Sequence, residues 1–184
     1  MNMAGVAQLV RASGCGPEGR GFEPHHSPQV AYAYLGDREV SFWYDGFMTK
    51  EDIFNELNAN EVLVVSTNGP DGYPQSAVVG FGQTEELELI FGTHRNSRKA
   101  NNILRDPKVS AVTITKKVTV QYEGTARLLS GEESEVYANI YYKKSPAAAK
   151  YKDVPNECYF LVSPKWIRIS DITQYPWDVT ELTF

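Results

Sequence analysis

The sequence predicts a mainly β protein with short helices, built as a six-stranded antiparallel barrel. Three observations carry this. From Val118 to Leu128 apolar and polar residues alternate without a break, the period of a strand with one buried face. Elsewhere the apolar stretches are short and separated by dense turn signals such as Asn68-Gly69-Pro70-Asp71-Gly72. Helical spacing occurs only in brief segments between strands, the pattern of a barrel with helical insertions.

The elements follow in order from Met48. Thr49 through Leu57 reads as a short helix: Thr49 is an N-cap with Asp52 three residues on, and Ile53, Phe54 and Leu57 form an apolar side. Val62-Leu63-Val64-Val65 is a buried strand, and Ser76–Phe81 returns beside it after the Asn68–Gly72 turn. Glu85-Glu86 marks the next turn and Leu87–Thr93 the next strand. At Ser97 the period changes: Ser97–Leu104 has helical spacing, opens on a capping residue and must end before Pro107. Val109–Thr115 and Val118–Leu128 are strands, with Lys116-Lys117 as the solvated turn between them. Glu132–Lys143 is a helix in which Val136, Ile140 and Tyr137 are expected to face inward. Cys158–Val162 and Trp166–Ile169 close the set. So small a barrel has few interior positions, and a second copy of the chain is its expected partner.

Composition narrows the function. The 184 residues are 42% apolar and 22% charged, with net charge −5 and pI near 5.3. This is a globular balance that argues against nucleic acid or an anionic membrane as partner. No apolar run approaches the roughly 20 residues that cross a bilayer. Met1–Ser13 lacks the apolar segment of a secretory signal, so a cytoplasmic protein is expected. Cys15 and Cys158 can make neither a disulfide framework nor a zinc site, and no metal is expected.

The first 47 residues stand apart. They hold seven of the 14 glycines and no lysine, and show no period from Ser13 to Gln29. Val6–Ala12 can be encoded by a sequence resembling the D-arm of a tRNA gene, and Gly21-Phe22-Glu23-Pro24 by GGG TTC GAA CCC, which resembles the T-arm. Residues from about 5 to 28 therefore resemble a translated tRNA gene. On that reading Met48 begins the functional domain, residues 48–184, and Cys15, His25 and His26 are set aside as ligands. A flexible N-terminal extension is the alternative. Val40–Tyr44 has strand-like composition.

The chemistry is concentrated in Thr93-His94-Arg95-Asn96-Ser97-Arg98-Lys99, where a strand hands over to a helix. Free backbone N–H groups and the positive end of the dipole attract an anion there, and an arginine fork adds to them. A phosphate monoester is the natural guest. Cations in a first helical turn oppose the dipole and cost stability until an anion arrives. The plainer reading is that these cations are solvated and Ser97 is only a cap.

Asp71-Gly72-Tyr73-Pro74 in the hairpin, Phe91-Gly92-Thr93 with Ser97-Arg98-Lys99-Ala100, Asp106-Pro107-Lys108-Val109, and Gln121-Tyr122-Glu123-Gly124-Thr125-Ala126 carry a family resemblance. Residues 49–175 are similar to the pyridoxamine 5′-phosphate oxidase-like FMN-binding split barrels. The resemblance implies a Greek-key-like, six-stranded split barrel and a homodimer with FMN at the subunit interface. Arg98 and Lys99 would hold the FMN phosphate, with hydrogen bonds from Ser97 and Thr93. The backbone of Ser76, Ala77 and Val78 would run beside the isoalloxazine edge, and Thr119 and Gln121 would lie near the ribityl chain or ring. Flavin-dependent oxidation or reduction of a small molecule is the implied activity, with no catalytic residue assigned.

The departures bear on substrate. Authentic pyridoxamine-phosphate oxidases carry arginine at the position of Ala77, lysine near Gly82, glutamine at Thr119 and tryptophan at Ser170, and they extend past Phe184. Oxidation of vitamin B6 is therefore not expected. The closer likeness is to the short, general-stress-protein type. A flavin-binding stress protein without catalysis is the alternative, and a deazaflavin- or haem-binding barrel is a third reading, for which His94 is a weak ligand. Trp177 would cover the flavin of the partner or dock on its own barrel.

Overall fold

A computed structural model describes residues 29–35, 38–44, 48–173 and 175–184. The chain divides into two units, Met1–Phe47 and Met48–Phe184. In the first, β1 (Gln29–Leu35) and β2 (Arg38–Tyr44) form an antiparallel hairpin with Leu35 opposite Arg38. The tRNA-like stretch of residues 5–28 lies outside the described residues, and with it Cys15, His25 and His26.

In the second unit, α1 (Lys50–Ala59) leads into the hairpin β3 (Val62–Asn68) and β4 (Pro74–Gly80), followed by β5 (Gly82–Gln83) and β6 (Leu89–His94). Next come α2 (Arg98–Arg105), β7 (Lys108–Ile114), β8 (Val118–Leu128) and α3 (Gly131–Lys144). A 3-10 turn at Pro146–Tyr151 precedes β9 (Glu157–Asp171) and β10 (Asp178–Thr183). The strands form one antiparallel sheet in the order β4-β3-β7-β8-β9-β6-β5, with β10 added against β9. The sheet curls until β4 touches β6, the geometry of a split barrel.

Cys158–Val162 and Trp166–Ile169, expected as separate strands, are the two halves of β9. The first half pairs with β6 and the second with β10, while β8 runs along both. The join is a bulge: Gly124 faces Pro164 and Glu123 faces Trp166, leaving Lys165 unmatched. Only glycine fits on the β8 side, because a Cβ at residue 124 would lie 2.6 Å from the Ser163 carbonyl oxygen.

The alternation in β8 buries Val120, Tyr122 and Ala126 with Leu63, Val65, Phe91 and Phe160, and Ile53, Leu57, Ala100 and Ile103 of α1 and α2 pack into the same core. The Tyr122 hydroxyl lies 3.0 Å from the carbonyl oxygens of both Leu87 and Val162. That contact helps hold buried Leu87 at φ 62°, a left-handed conformation that costs a leucine about 1 kcal/mol.

A second cluster sits on the other side of β6 and β9. There Ala138 and Tyr141 of α3 cover Ile90, Tyr159 and Leu161. Val136, expected inside, is 60% exposed. The helix seats its backbone on Gly82, where a Cβ would lie 2.7 Å from the Tyr141 Cα, and this fixes a face that turns Val136 outward.

Candidate functional site

β6 ends and α2 begins within the Thr93–Lys99 turn. Ser97 is the N-cap, and its hydroxyl accepts from the Ala100 N–H at 3.2 Å. The Thr93 hydroxyl, on a buried side chain, lies 3.1 Å from the Ser97 hydroxyl and accepts from Lys99 Nζ at 3.1 Å. The three residues thus form one chain of contacts at the head of the helix. No acidic residue lies in the first turn of α2. Arg98 is exposed and has no hydrogen-bond or ion-pair partner among the described residues. The first backbone N–H groups of the helix stay open. His94 is exposed, with Nδ1 accepting from the Asn96 N–H at 3.2 Å.

The helix cannot swivel freely. Buried Asn102 donates to Thr67 Oγ1 and Gln75 Oε1, both at 3.0 Å, and accepts from Arg105 at 3.1 Å. Asn68 donates to the Asp106 carboxylate at 2.8 Å. That bond holds the Asp106 carboxyl below its usual range. These contacts pin α2 to the β3–β4 hairpin and aim its N-terminus. Nothing local in the sequence marks Asn102, since its partners lie in another hairpin.

Of the other expected residues, Ser76, Val78, Thr119 and Gln121 lie on the outward face of the sheet. Ser76 and Val78 point outward from β4, and the Ser76 hydroxyl lies 2.8 Å from that of Ser66. Ala77 is half-buried on the opposite side. Thr119 and Gln121 line a groove of about 610 Å³ with Ser66, Ser110, Trp166 and Trp177. Around it the face is apolar and open: Val62, Val78, Val112 and Ile114 are 51%, 66%, 42% and 60% exposed. No hydrogen bond or ion pair joins Thr119 or Gln121 to the Thr93–Lys99 turn among the described residues. Within one chain the structure therefore presents an anion turn and a sheet groove as two separate parts.

A further groove, about 770 Å³, lies between α1, the β5–β6 turn and α3. Burial pushes the pKa of Lys144 down to about 7 there. Its amine donates to the Leu57 carbonyl at 2.7 Å and Gln83 Oε1 at 2.6 Å, and sits 3.3 Å over the Phe81 ring. With every donor engaged, Lys144 is a tie between α3, α1 and β5. Among the described residues no cluster of His, Cys, Asp or Glu could hold a metal ion. No helix among them is long and apolar enough to cross a membrane.

The chain is 28% identical over 113 residues to pyridoxine/pyridoxamine 5′-phosphate oxidase of Legionella pneumophila, covering 60% of this chain and 50% of that one. It thus spans about half the length of the curated relatives it matches. Among solved structures, a Clostridium acetobutylicum protein related to general stress protein 26 superposes with a TM-score of 0.58 at 12% identity, over 74% of this chain and 97% of its own. A heme binding protein from Mycobacterium smegmatis superposes at 0.60 with 17% identity, over 69% and 54%. These likenesses show a shared fold. Residues 49–171 match the pyridoxamine 5′-phosphate oxidase sequence profile, so the chain belongs to the pyridoxamine 5′-phosphate oxidase family.

Proposed function

We propose that this protein binds FMN between two copies of the chain and serves as a flavin-dependent oxidoreductase of a small molecule. The observation that carries the reading is the head of α2, where Arg98 and Lys99 meet an open helix N-terminus with no acidic residue in its first turn. That donor set fits a phosphate monoester: backbone N–H groups, two hydroxyls, an ammonium and a guanidinium, all donors or cations. Arg98 and Lys99 bind the phosphate, while Thr93 and Ser97 hold Lys99 and the helix cap in place. The groove of Thr119, Gln121, Trp166 and Trp177 suits a flat aromatic ring with polar edges, which Gln121 orients. When bound, the flavin supplies hydride chemistry at its own ring, so the protein needs only to position it and exclude water.

The homodimer reading is supported by the outward face of the sheet, where Val62, Val78, Val112 and Ile114 are all exposed. On this reading the anion turn and the sheet groove, separate within one chain, are completed into one site by the second copy. Haem is the weaker reading, because His94 is an exposed turn residue. A cytoplasmic location is part of the same proposal.

The test is an absorption spectrum of the purified full chain, with mass spectrometry of any released molecule and sedimentation of the FMN-saturated protein. A flavin spectrum, recovered FMN and a dimer are expected. A colourless protein that refuses added FMN overturns the reading.

A further inference from the structure

Glu157 opens β9 directly opposite His94, the first residue past Thr93. Its carboxylate folds back over Gly92: a Cβ at residue 92 would lie 2.7 Å from Glu157 Oε1, 3.1 Å from Tyr159 Cε1 and 3.4 Å from Tyr141 Cε1. The carboxylate therefore occupies the space that glycine leaves open, among the electropositive edges of two tyrosine rings. Half-buried, it makes no hydrogen bond or ion pair among the described residues. Burial holds its pKa above the ordinary carboxylate range, and the charges of His94 and Lys99 pull against that. It is an anionic group set beside the cations of the turn, without a hydrogen bond or ion pair to any of them.

The groups around it come from four elements. His94 faces it from β6, Lys99 from α2, and Tyr141 from α3, while Cys158 and Tyr159 flank it on its own strand. Arg95 lies nearby and acts on Cys158. Burial raises the pKa values of Tyr141, Tyr159 and Cys158, which keeps these groups neutral. The charge that an incoming anion meets there thus depends on Glu157, His94, Arg95, Arg98 and Lys99.

We infer that Glu157 makes anion binding at the Thr93–Lys99 turn proton-linked: its negative charge weakens the site, and a proton taken up by its carboxyl relieves that repulsion. The inference rests on the phosphate-site reading above and adds its regulation. An arriving phosphate raises the affinity of Glu157 for a proton, so by linkage a protonated Glu157 raises the affinity for phosphate. With no phosphate bound, the same carboxylate offsets the positive charge of Lys99.

The experiment titrates FMN, and separately inorganic phosphate, into the full chain and into Glu157→Gln from about pH 5 to about pH 8. Both titrations are repeated in a His94→Asn background, so that the ratio of affinities reads the Glu157 carboxyl alone. Glu157→Gln should bind FMN about threefold to about tenfold more tightly at the alkaline end, with the ratio approaching one at the acid end. Glu157→Asp, which withdraws the charge by one methylene, should give an intermediate ratio. A ratio that stays constant with pH, or a weaker Glu157→Gln, overturns the inference. If phosphate shows the pattern and FMN does not bind, the linkage stands and the flavin reading falls. If neither anion binds, both fall.

Discussion

Two helices of this domain begin in the same way and are charged in opposite ways. At α1 the N-cap Thr49 accepts from the Asp52 N–H, Asp52 returns the bond to the Thr49 N–H at 2.7 Å, and Glu51 and Asp52 place negative charge in the first turn. At α2 Ser97 caps equally well, yet the first turn carries Arg98 and Lys99 and no acid. The dipole favours the first arrangement and penalises the second. The first helix is finished within its own chain. The second is left with an electrostatic deficit that an anion would fill, and that contrast is stronger support for a binding role than the presence of basic residues alone.

Charge reversal breaks the contrast most sharply. Arg98→Glu gives α2 the acidic first turn of α1. Loss of a charge-assisted contact, with a repulsive charge in its place, should weaken FMN binding at least about 100-fold. The empty protein should melt about 1–4 °C higher, since an acidic residue at a helix N-terminus contributes about 0.3–1 kcal/mol. Fluorescence titration and calorimetry on one preparation read both signs. Unchanged FMN affinity would mean that the turn is only a solvated cap.

The mirror experiment is Thr49→Ala. Removing this cap should cost about 1 kcal/mol, or about 2–4 °C in melting temperature, and leave FMN affinity as it was. A change in affinity would show that α1 shapes the site, which its contacts do not suggest.

How far each region is legible in the sequence follows from the range of its contacts. The anion turn can be read from Thr93–Lys99 because its bonds are local: Lys99 reaches Thr93 six positions back, and Ser97 caps Ala100 three positions on. β8 can be read because one strand with one buried face writes its own period. Glu157 cannot be read, because it reaches the turn only through the pairing of β6 with β9 and the missing side chain of Gly92. The face of α3 is obscured for a similar reason: it buries Ala138 and Tyr141, and its seat on Gly82 outweighs the larger Val136. β10 is hidden by its polarity, for among Asp178–Thr183 only Thr180 is buried, where it accepts from the Met48 N–H at 3.1 Å. The merged β9 is hidden by Pro164, which breaks the apolar pattern at the bulge yet stays within the strand.

The smallest effect separates the two caps by pH. Both the backbone N–H and the hydroxyl of Thr49 donate to Asp52, at 2.7 and 2.8 Å, and hold its carboxyl below the ordinary 3.8. A carboxyl whose pKa is lower in the folded than in the unfolded chain stabilises the fold fully above the unfolded value. That stabilisation fades as pH falls through the folded value. Asp52→Asn keeps an acceptor and removes the charge, so it should cost only a fraction of the Thr49→Ala effect. The gap from the native protein should be constant near neutrality and close under about pH 4. Ser97→Ala should show no such closing, because the Ser97 hydroxyl has no carboxylate partner: it bonds to the Thr93 hydroxyl and the Ala100 N–H. Melting temperatures of the two variants across the acid range decide the matter. Parallel curves for Asp52→Asn would mean that its carboxylate contributes shape and no charge, and the electrostatic half of the comparison between the helices would then rest on α2 alone.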